Sequence, residues 1–397
     1  MTLADLGTYG ILATSVAMSV QFLGMEFYVF NTREILGADQ AKRGLLLSGQ
    51  LTFHGLIYLL SLPALSILFF AGILPWSLAV WFYILIIVEH LSVETCRILF
   101  VIGRPILANF AGFIRIGSWV AIAVTVGLQI PEYRSVQAIA IFWILGGLLS
   151  ILIGCKPLLQ SDWSNPFEIR PRLDWIRKGV SVAMPFFMSA VALNTIYFSD
   201  RFIIQHFSGI EQVGLYTFHQ SVAGLVYTAI TIGVVSIIYP KIVKSFLIRD
   251  MARYTQERKT LAVAIISGSI LVSLFLILIF PYLADFMKNP QFIETRSVFF
   301  ILLLGSVIQN ISFVPHYDLY ARSIDRDLMW STILAAALNV VLNFLWIPKF
   351  GIIGAAWATT VAYIMLLITK SWAVAIRSKQ PGWVPPQNIN TLETNNE

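Results

Sequence analysis

The residues of this sequence with the most chemistry to offer are ionisable side chains set inside long apolar runs. Arg115 lies seven residues into the run 108–129, roughly 10 Å deep at about 1.5 Å per residue. A guanidinium there can grip a diphosphate through two parallel hydrogen bonds, snorkel to an interface, or pair with a nearby carboxylate. Glu89, in the run 76–93, is either that partner or a protonatable coupling group in its own right. Glu26, at the end of the run 9–30, reads as an interfacial or an ion-coupling carboxylate. His54, in the run 45–70, reads as a hydrogen-bonded core histidine or a proton carrier, and His219 as the same pair of alternatives. Glu94 and Arg97 are three apart on one helix face, which suits an ordinary ion pair or a cationic foothold for substrate at Arg97. Asp200 and Arg201 close the run 179–199, as a helix-end cap or a gate pair. Asp318 follows Pro315 near the end of the run 298–320, where a carboxylate opposes the helix dipole and calls for a partner such as Arg322 at i+4. Each such charge costs about 2.5–3.5 kcal/mol at the centre of a membrane helix. Each is therefore expected to face a partner or water and not lipid.

The elements that carry these residues follow from composition. Of 397 residues, 57% are apolar or aromatic and 12% are charged, with a mean hydropathy of +0.78. A soluble domain carries about 25% charged residues, so the chain reads as an integral membrane protein. In lipid only helices and closed barrels satisfy their backbone polar groups. Long continuous runs, without ten-residue alternation, select an all-α polytopic fold. The net charge of +6 sits in short loops, which sets topology and points away from nucleic acid. Cys96 and Cys155 read as two reduced thiols. No phosphate loop and no His-Glu-x-x-His motif occurs, so neither ATP hydrolysis nor zinc chemistry is indicated. No cofactor, no metal and no enzymatic activity are expected; a proton or sodium gradient is the expected source of drive.

About eleven spans are expected, at 9–30, 45–70, 76–93, 108–129, 136–153, 179–199, 214–238, 261–283, 298–320, 328–347 and 352–376. Most of the 27 lysines and arginines, Lys370 among them, fall on one side of this arrangement. By the positive-inside rule that side is cytoplasmic, with the C-terminus inside and the N-terminus outside. Glu26, His54, Glu89 and Arg115 then share the inner halves of early spans, which predicts a polar cavity open to the cytoplasm. Tryptophans and tyrosines at span ends, such as Trp76 and Trp372, read as interface belts. An internal repeat is visible: Leu6-Gly7-Thr8-Tyr9 opens the first span as Val213-Gly214-Leu215-Tyr216 opens the seventh, and Arg104 and Arg326 precede the fourth and tenth. The expected organisation is two parallel bundles. The first (1–155) has five spans, and the partner of the sixth span would lie before Met1, with a start codon further upstream as one explanation. A cytoplasmic linker (156–178) follows, whose end, 173–178, could lie along the inner membrane surface. A six-helix bundle (179–377) and a polar tail (378–397) complete the chain.

Two motifs carry a resemblance. The tail Asn339-Val340-Val341-Leu342-Asn343, followed by Pro348-Lys349-Phe350-Gly351 and Gly354-Ala355-Ala356-Trp357-Ala358-Thr359, is one; Asp200-Arg201 followed by Gly214-Leu215-Tyr216 is the other. Together, in this order, they resemble the polysaccharide (O-antigen) flippases of the multidrug/oligosaccharidyl-lipid/polysaccharide exporter superfamily. The resemblance implies a MATE-like architecture and alternating access. It also implies transfer of an undecaprenyl-diphosphate-linked oligosaccharide from the inner to the outer leaflet of the bacterial inner membrane, during O-antigen or surface polysaccharide synthesis. A polysaccharide polymerase and a chain-length regulator are the protein partners it implies. On this reading Arg115 and Arg97 bind substrate, and Glu89, Glu26, His54, Asp200, Arg201 and Asp318 couple ions or gate. A drug-cation antiporter of the same superfamily is the alternative, and a membrane polymerase or lipid-linked sugar transferase is the alternative of another class. No outer loop here is long enough to carry such an enzyme's catalytic residues.

Overall fold

A computed structural model describes residues 2–38, 40–160 and 173–379. Most of the expected linker and nearly all of the polar tail lie outside the described residues. Every element among the described residues is helical. In order they are α1 (Leu3–Gly24), α2 (Tyr28–Leu36), α3 (Gln40–Ala64), α4 (Ile67–Phe70), α5 (Ala79–Val101), α6 (Pro105–Phe113), α7 (Trp119–Gln129), α8 (Val136–Gln160), α9 (Leu173–Ser208), α10 (Ile210–Ile230), α11 (Ser236–Leu247), α12 (Met251–Phe286), α13 (Gln291–Glu294), α14 (Arg296–Ile311), α15 (Phe313–Ala321) and α16 (Asp325–Arg377). Two π-helical turns, Ile114–Ser118 and Thr231–Val235, join α6 to α7 and α10 to α11.

Nine helical segments among the described residues are long and apolar enough to cross a membrane. The last, α16, is two helices merged across Gly351, whose φ of 58° and ψ of −139° are not helical. At 23 residues α5 is also long enough. Each of the expected spans therefore has a helix, and the chain is an all-α multi-pass membrane protein. The ends are set by local chemistry. Thr2 and Asp5 form a reciprocal capping box on α1, with the Asp5 amide 3.1 Å from Thr2 Oγ1. Pro105 sits in the first turn of α6, where its missing N–H costs nothing. The Asp250 side chain accepts from the Arg253 amide and caps α12.

Some boundaries move. The run 179–199 is the middle of α9, which extends to Ser208, so Asp200 and Arg201 lie well inside a helix and not at its end. Between α9 and α10 the chain reverses at a single residue, Gly209, whose φ of 86° suits glycine. The segment 173–178 is continuous with α9. Glu26 lies outside α1, in a break where Met25 and Glu26 both adopt left-handed φ, 45° and 54°. Lys370, expected in a cytoplasmic loop, is a buried residue within α16.

Contacts divide the chain into two compact units, Met1–Thr217 and Phe218–Glu397. The division runs through α10, so α9 packs within the first unit, against α1 and α2. At the centre of that unit is α5, contacted by α1, α2, α6 and α8. Its fit against α8 depends on small residues. A Cβ at Gly147 would sit 2.5 Å from Val88 Cγ1, and one at Gly154 2.1 Å from Thr95 Cγ2. An aromatic cluster joins α2, α3 and α9 around Phe27, which stacks on Phe53 at 4.1 Å and meets Phe30 and Trp175 edge-on or tilted.

In the second unit α14 packs on α16, with Gly305 against Thr360. The small residues that follow the break at Gly351 are buried, with Ala355, Ala356 and Ala358 fully inside. Phe280 and Phe299 stack at 4.2 Å, and Phe292 packs on Phe218 at 4.4 Å.

The two glycines of the repeated motif meet. A Cβ on Gly7 would lie 2.0 Å from the Ile210 carbonyl oxygen, and one on Gly214 2.3 Å from that of Leu3. Here α1 and α10 touch backbone to backbone, which only glycine permits. Gly7→Leu and Gly214→Leu are each expected to lower the folded yield in membranes sharply, since overpacking typically costs about 1–3 kcal/mol and here the obstacle is backbone. Gly55→Ala, at a helical site with nothing within 4 Å, should be neutral or slightly stabilising. Thermal melting of the detergent-purified variants checks this, and equal stability of all three would refute the contact.

Candidate functional site

The charged residues of α5 lie on two faces. Glu89 points one way; His90, Glu94 and Arg97, at i, i+4 and i+7, form a stripe about 100° round the helix. Each face meets different neighbours.

On the first face, Arg115 Nη1 donates to Glu89 Oε1 in an ion pair, and Trp143 Nε1 donates to Glu89 Oε2 at 3.1 Å. Both charged side chains are largely shielded, at 18% and 13% exposed. Arg115 belongs to the π turn Ile114–Ser118, a local widening that is frequent at functional positions. The Arg115 carbonyl is taken up by the indole N–H of Trp119 at 2.9 Å. The Trp119 and Trp143 rings stack with centroids 5.7 Å apart and planes 7° apart. Arg115 Nε is buried and has no hydrogen-bond partner. The pair thus leaves the Nε donor of the guanidinium unspent.

On the second face, Glu94 is nearly buried. It accepts from Arg97 Nη1 and from Gln50 Nε2 of α3, each at 2.5 Å. Gln50 in turn accepts from Asn31 of α2. Arg97 lies over the Tyr28 ring at 3.7 Å, a cation–π contact. One turn back, His90 Nδ1 and Tyr58 Oη are 2.6 Å apart, and the His90 ring meets His54 edge to face at 4.6 Å. Gln21 Nε2 donates to Glu26 at 3.0 Å, at the α1–α2 break.

The remaining candidates lie elsewhere. Asp200 is fully buried and accepts from Tyr216 Oη at 2.5 Å. Arg201 Nη1 donates to the Tyr197 carbonyl at 3.0 Å, and its Nε lies 3.3 Å from Thr217 Oγ1. The pair therefore staples α9 to α10 within the first unit, in place of capping a helix end.

In the second unit Asp318 accepts from Tyr254 Oη and forms an ion pair with Arg258 Nε at 2.7 Å. Arg322, the expected i+4 partner, stands 3.8 Å from the carboxylate and donates to the Asp318 carbonyl at 2.8 Å. Arg258 is the closer cation, because α12 brings it in from a distant part of the sequence. His219 Nε2 meets Thr295 Oγ1 at 2.8 Å.

The structure thus brings Arg115 to Glu89, and brings His54 to the face that holds Arg97. Glu26 stands at the edge of that face; Asp200, Arg201 and Asp318 are separate. Sequence reading missed Asn31, Gln50, Tyr58 and His90 as members of a network. The stripe His90, Glu94, Arg97 was the available signal, but the partners come from other helices. Among the described residues no group of three or more His, Cys, Asp or Glu is arranged to hold a metal ion.

No family model matches the chain, and no curated protein matches it. Solved structures do. An inward-facing multidrug resistance MATE family transporter of the MOP superfamily aligns over 95% of this chain and 92% of its own, with a TM-score of 0.71 and 15% identity. The lipid II flippase MurJ, in an inward closed conformation, aligns over 94% and 87%, with a TM-score of 0.69 and 15% identity. An outward-facing MATE family transporter aligns with a TM-score of 0.58, again at 15% identity. The chain therefore has the fold shared by these transporters and this flippase.

Proposed function

We propose that the chain is a flippase that moves an undecaprenyl-diphosphate-linked oligosaccharide from the inner to the outer leaflet of a bacterial inner membrane by alternating access, in O-antigen or related surface polysaccharide synthesis. The observation that carries the reading is the Glu89–Arg115 pair: a guanidinium with a free donor, held in an otherwise apolar span beside stacked indoles. Such a group recognises a diphosphate, and a neighbouring carboxylate keeps it from being a lone buried charge while it waits. Arg97, more exposed than Glu94, is a second candidate cation for the substrate. Fold similarity to a lipid II flippase supports a lipid-linked cargo. Glu89, Glu26, His54, Asp200, Arg201 and Asp318 are assigned to coupling or gating, driven by an ion gradient. A polymerase and a chain-length regulator are the proposed protein partners. Fold similarity to multidrug transporters favours a second reading, drug-cation antiport. An anion-binding Arg115 argues against it.

The assay is surface display of polysaccharide in a strain lacking the gene, with the amount of membrane-inserted protein measured in parallel. Arg115→Lys should retain part of the display, because a point cation still attracts a diphosphate while losing the two-pronged geometry. Arg115→Gln should abolish display at normal protein level. If Arg115 serves only to neutralise Glu89, the double variant Arg115→Gln with Glu89→Gln should restore both stability and display; breaking one side alone of a buried pair costs about 3–5 kcal/mol. Full display from Arg115→Gln would overturn the substrate-binding role.

Orientation is tested separately. A reporter active only in the periplasm, fused after Gly209, should be active, and the same fusion after Asp250 should be silent. The opposite pattern would reverse the direction of loading.

A further inference from the structure

The second face of α5 contains polar atoms that the substrate reading does not use. His90 is fully buried, His54 is 5% exposed and Asn31 is 1% exposed. Nε2 of each histidine and Oδ1 of Asn31 have no hydrogen-bond partner. A buried polar group without a partner is costly, and these three come from α3, α5 and α2, the helices that also contribute Gln50, Glu94 and Asn31 to one hydrogen-bonded network.

We propose that His54, His90 and Glu94 form a proton-binding site, in which the imidazole pair carries one proton that competes with Arg97 for the Glu94 carboxylate.

The geometry selects the ligand. Two imidazolium rings in edge-to-face contact at 4.6 Å would repel each other, so the pair holds a single added proton. With the His90 Nδ1 proton given to Tyr58 Oη, 2.6 Å away, Nε2 presents a free lone pair. The added proton comes from water, bonds to an imidazole Nε2 and returns to water on release. Sodium suits the site poorly, since hard cations take oxygen ligands. Two of the three unpartnered atoms are nitrogens, and both Glu94 oxygens are already engaged by Arg97 and Gln50.

The consequence falls on Arg97. His90 and Glu94 are i,i+4 neighbours on α5. A positive charge arriving on the imidazole pair supplies the carboxylate with a second cation. That weakens the hold of Glu94 on Arg97, which is 28% exposed and otherwise rests on Tyr28. The freed guanidinium can then take an anion. Tyr58 of α3 meets the pair directly, Glu94 and Arg97 follow His90 on α5 itself, and α1 presents the uncharged Gly24 to His90 Nε2; Tyr28 of α2 packs on Arg97, and Glu26 stands at the α1–α2 break, held by Gln21. Glu89 and Arg115 neutralise each other on the other face.

The titration can be measured without substrate. The chain has five histidines, so full-length protein in detergent, labelled with 15N-histidine, gives few enough ring signals to assign by single His→Gln changes. Between about pH 5 and about pH 8, where histidine charge changes ordinarily fall, His54 and His90 should show one shared step. That step should change in the remaining ring when either partner becomes Gln. Glu94→Gln should move its midpoint to lower pH. Tyr58→Phe, which keeps both rings in place, should move it too and serves if a histidine variant does not fold. Two independent steps, no step at all, or signals that respond to sodium at constant pH would each overturn the site.

What the proton drives rests on the transporter reading. A shared titration together with a failed display assay would reject that reading alone. Normal display with no shared titration would reject this site alone.

Discussion

A charge in hydrocarbon must find its partner inside the protein, and in this chain one helix collects most of those partnerships. α5 carries Glu89 towards Arg115 and Trp143, and His90, Glu94 and Arg97 towards α2 and α3. The glycines of α8 exist to let α5 come close, because any side chain at Gly147 or Gly154 would displace Val88 or Thr95. That close approach sets Trp143, one turn before Gly147, within reach of Glu89. Packing and polar chemistry are therefore one constraint. Loosening the α5–α8 seam would leave a carboxylate and a guanidinium unpaired in lipid, a larger loss than the missing van der Waals contacts alone.

The two faces of α5 differ in kind. The first is a single ion pair walled by stacked indoles, with one donor to spare. The second is a chain of hydrogen bonds running from Asn31 through Gln50 to Glu94 and Arg97, with a histidine pair at its side. A lone pair of opposite charges can be exchanged for a pair with substrate. A network of neutral and titratable groups has instead the means to hold or release a proton, which is the basis of the site proposed above.

Much of this was legible from the sequence, for physical reasons. Apolar runs of membrane length have few alternatives to helix, so the spans could be read directly, and the Pro348–Gly351 turn announced itself through residues that cannot continue one. The repeated Gly-x-Tyr openings marked two positions under the same demand, and Gly7 and Gly214 turn out to be each other's neighbour. Charges stranded in apolar runs pointed to α5 and Arg115. What periodicity cannot supply is which helix face meets which. Gln50 meets Glu94 and Tyr58 meets His90 only because side chains of α3 reach α5, and Arg258 reaches Asp318 across 60 residues of chain. Span ends were misplaced where a polar pair, Asp200 and Arg201, resembled a helix terminus; the pair is satisfied sideways, by Tyr216, Thr217 and the Tyr197 carbonyl, so the helix has no reason to stop.

That sideways satisfaction has a mechanical consequence. α9 and α10 are separated by one residue, Gly209, and tied again about two turns below the bend by Asp200–Tyr216. A connector with no slack and a cross-tie near its base make a stiff fork out of two helices. A longer, looser loop would leave the two prongs freer to turn independently. A buried aspartate thus serves as a cross-brace between two helices and not as a helix end.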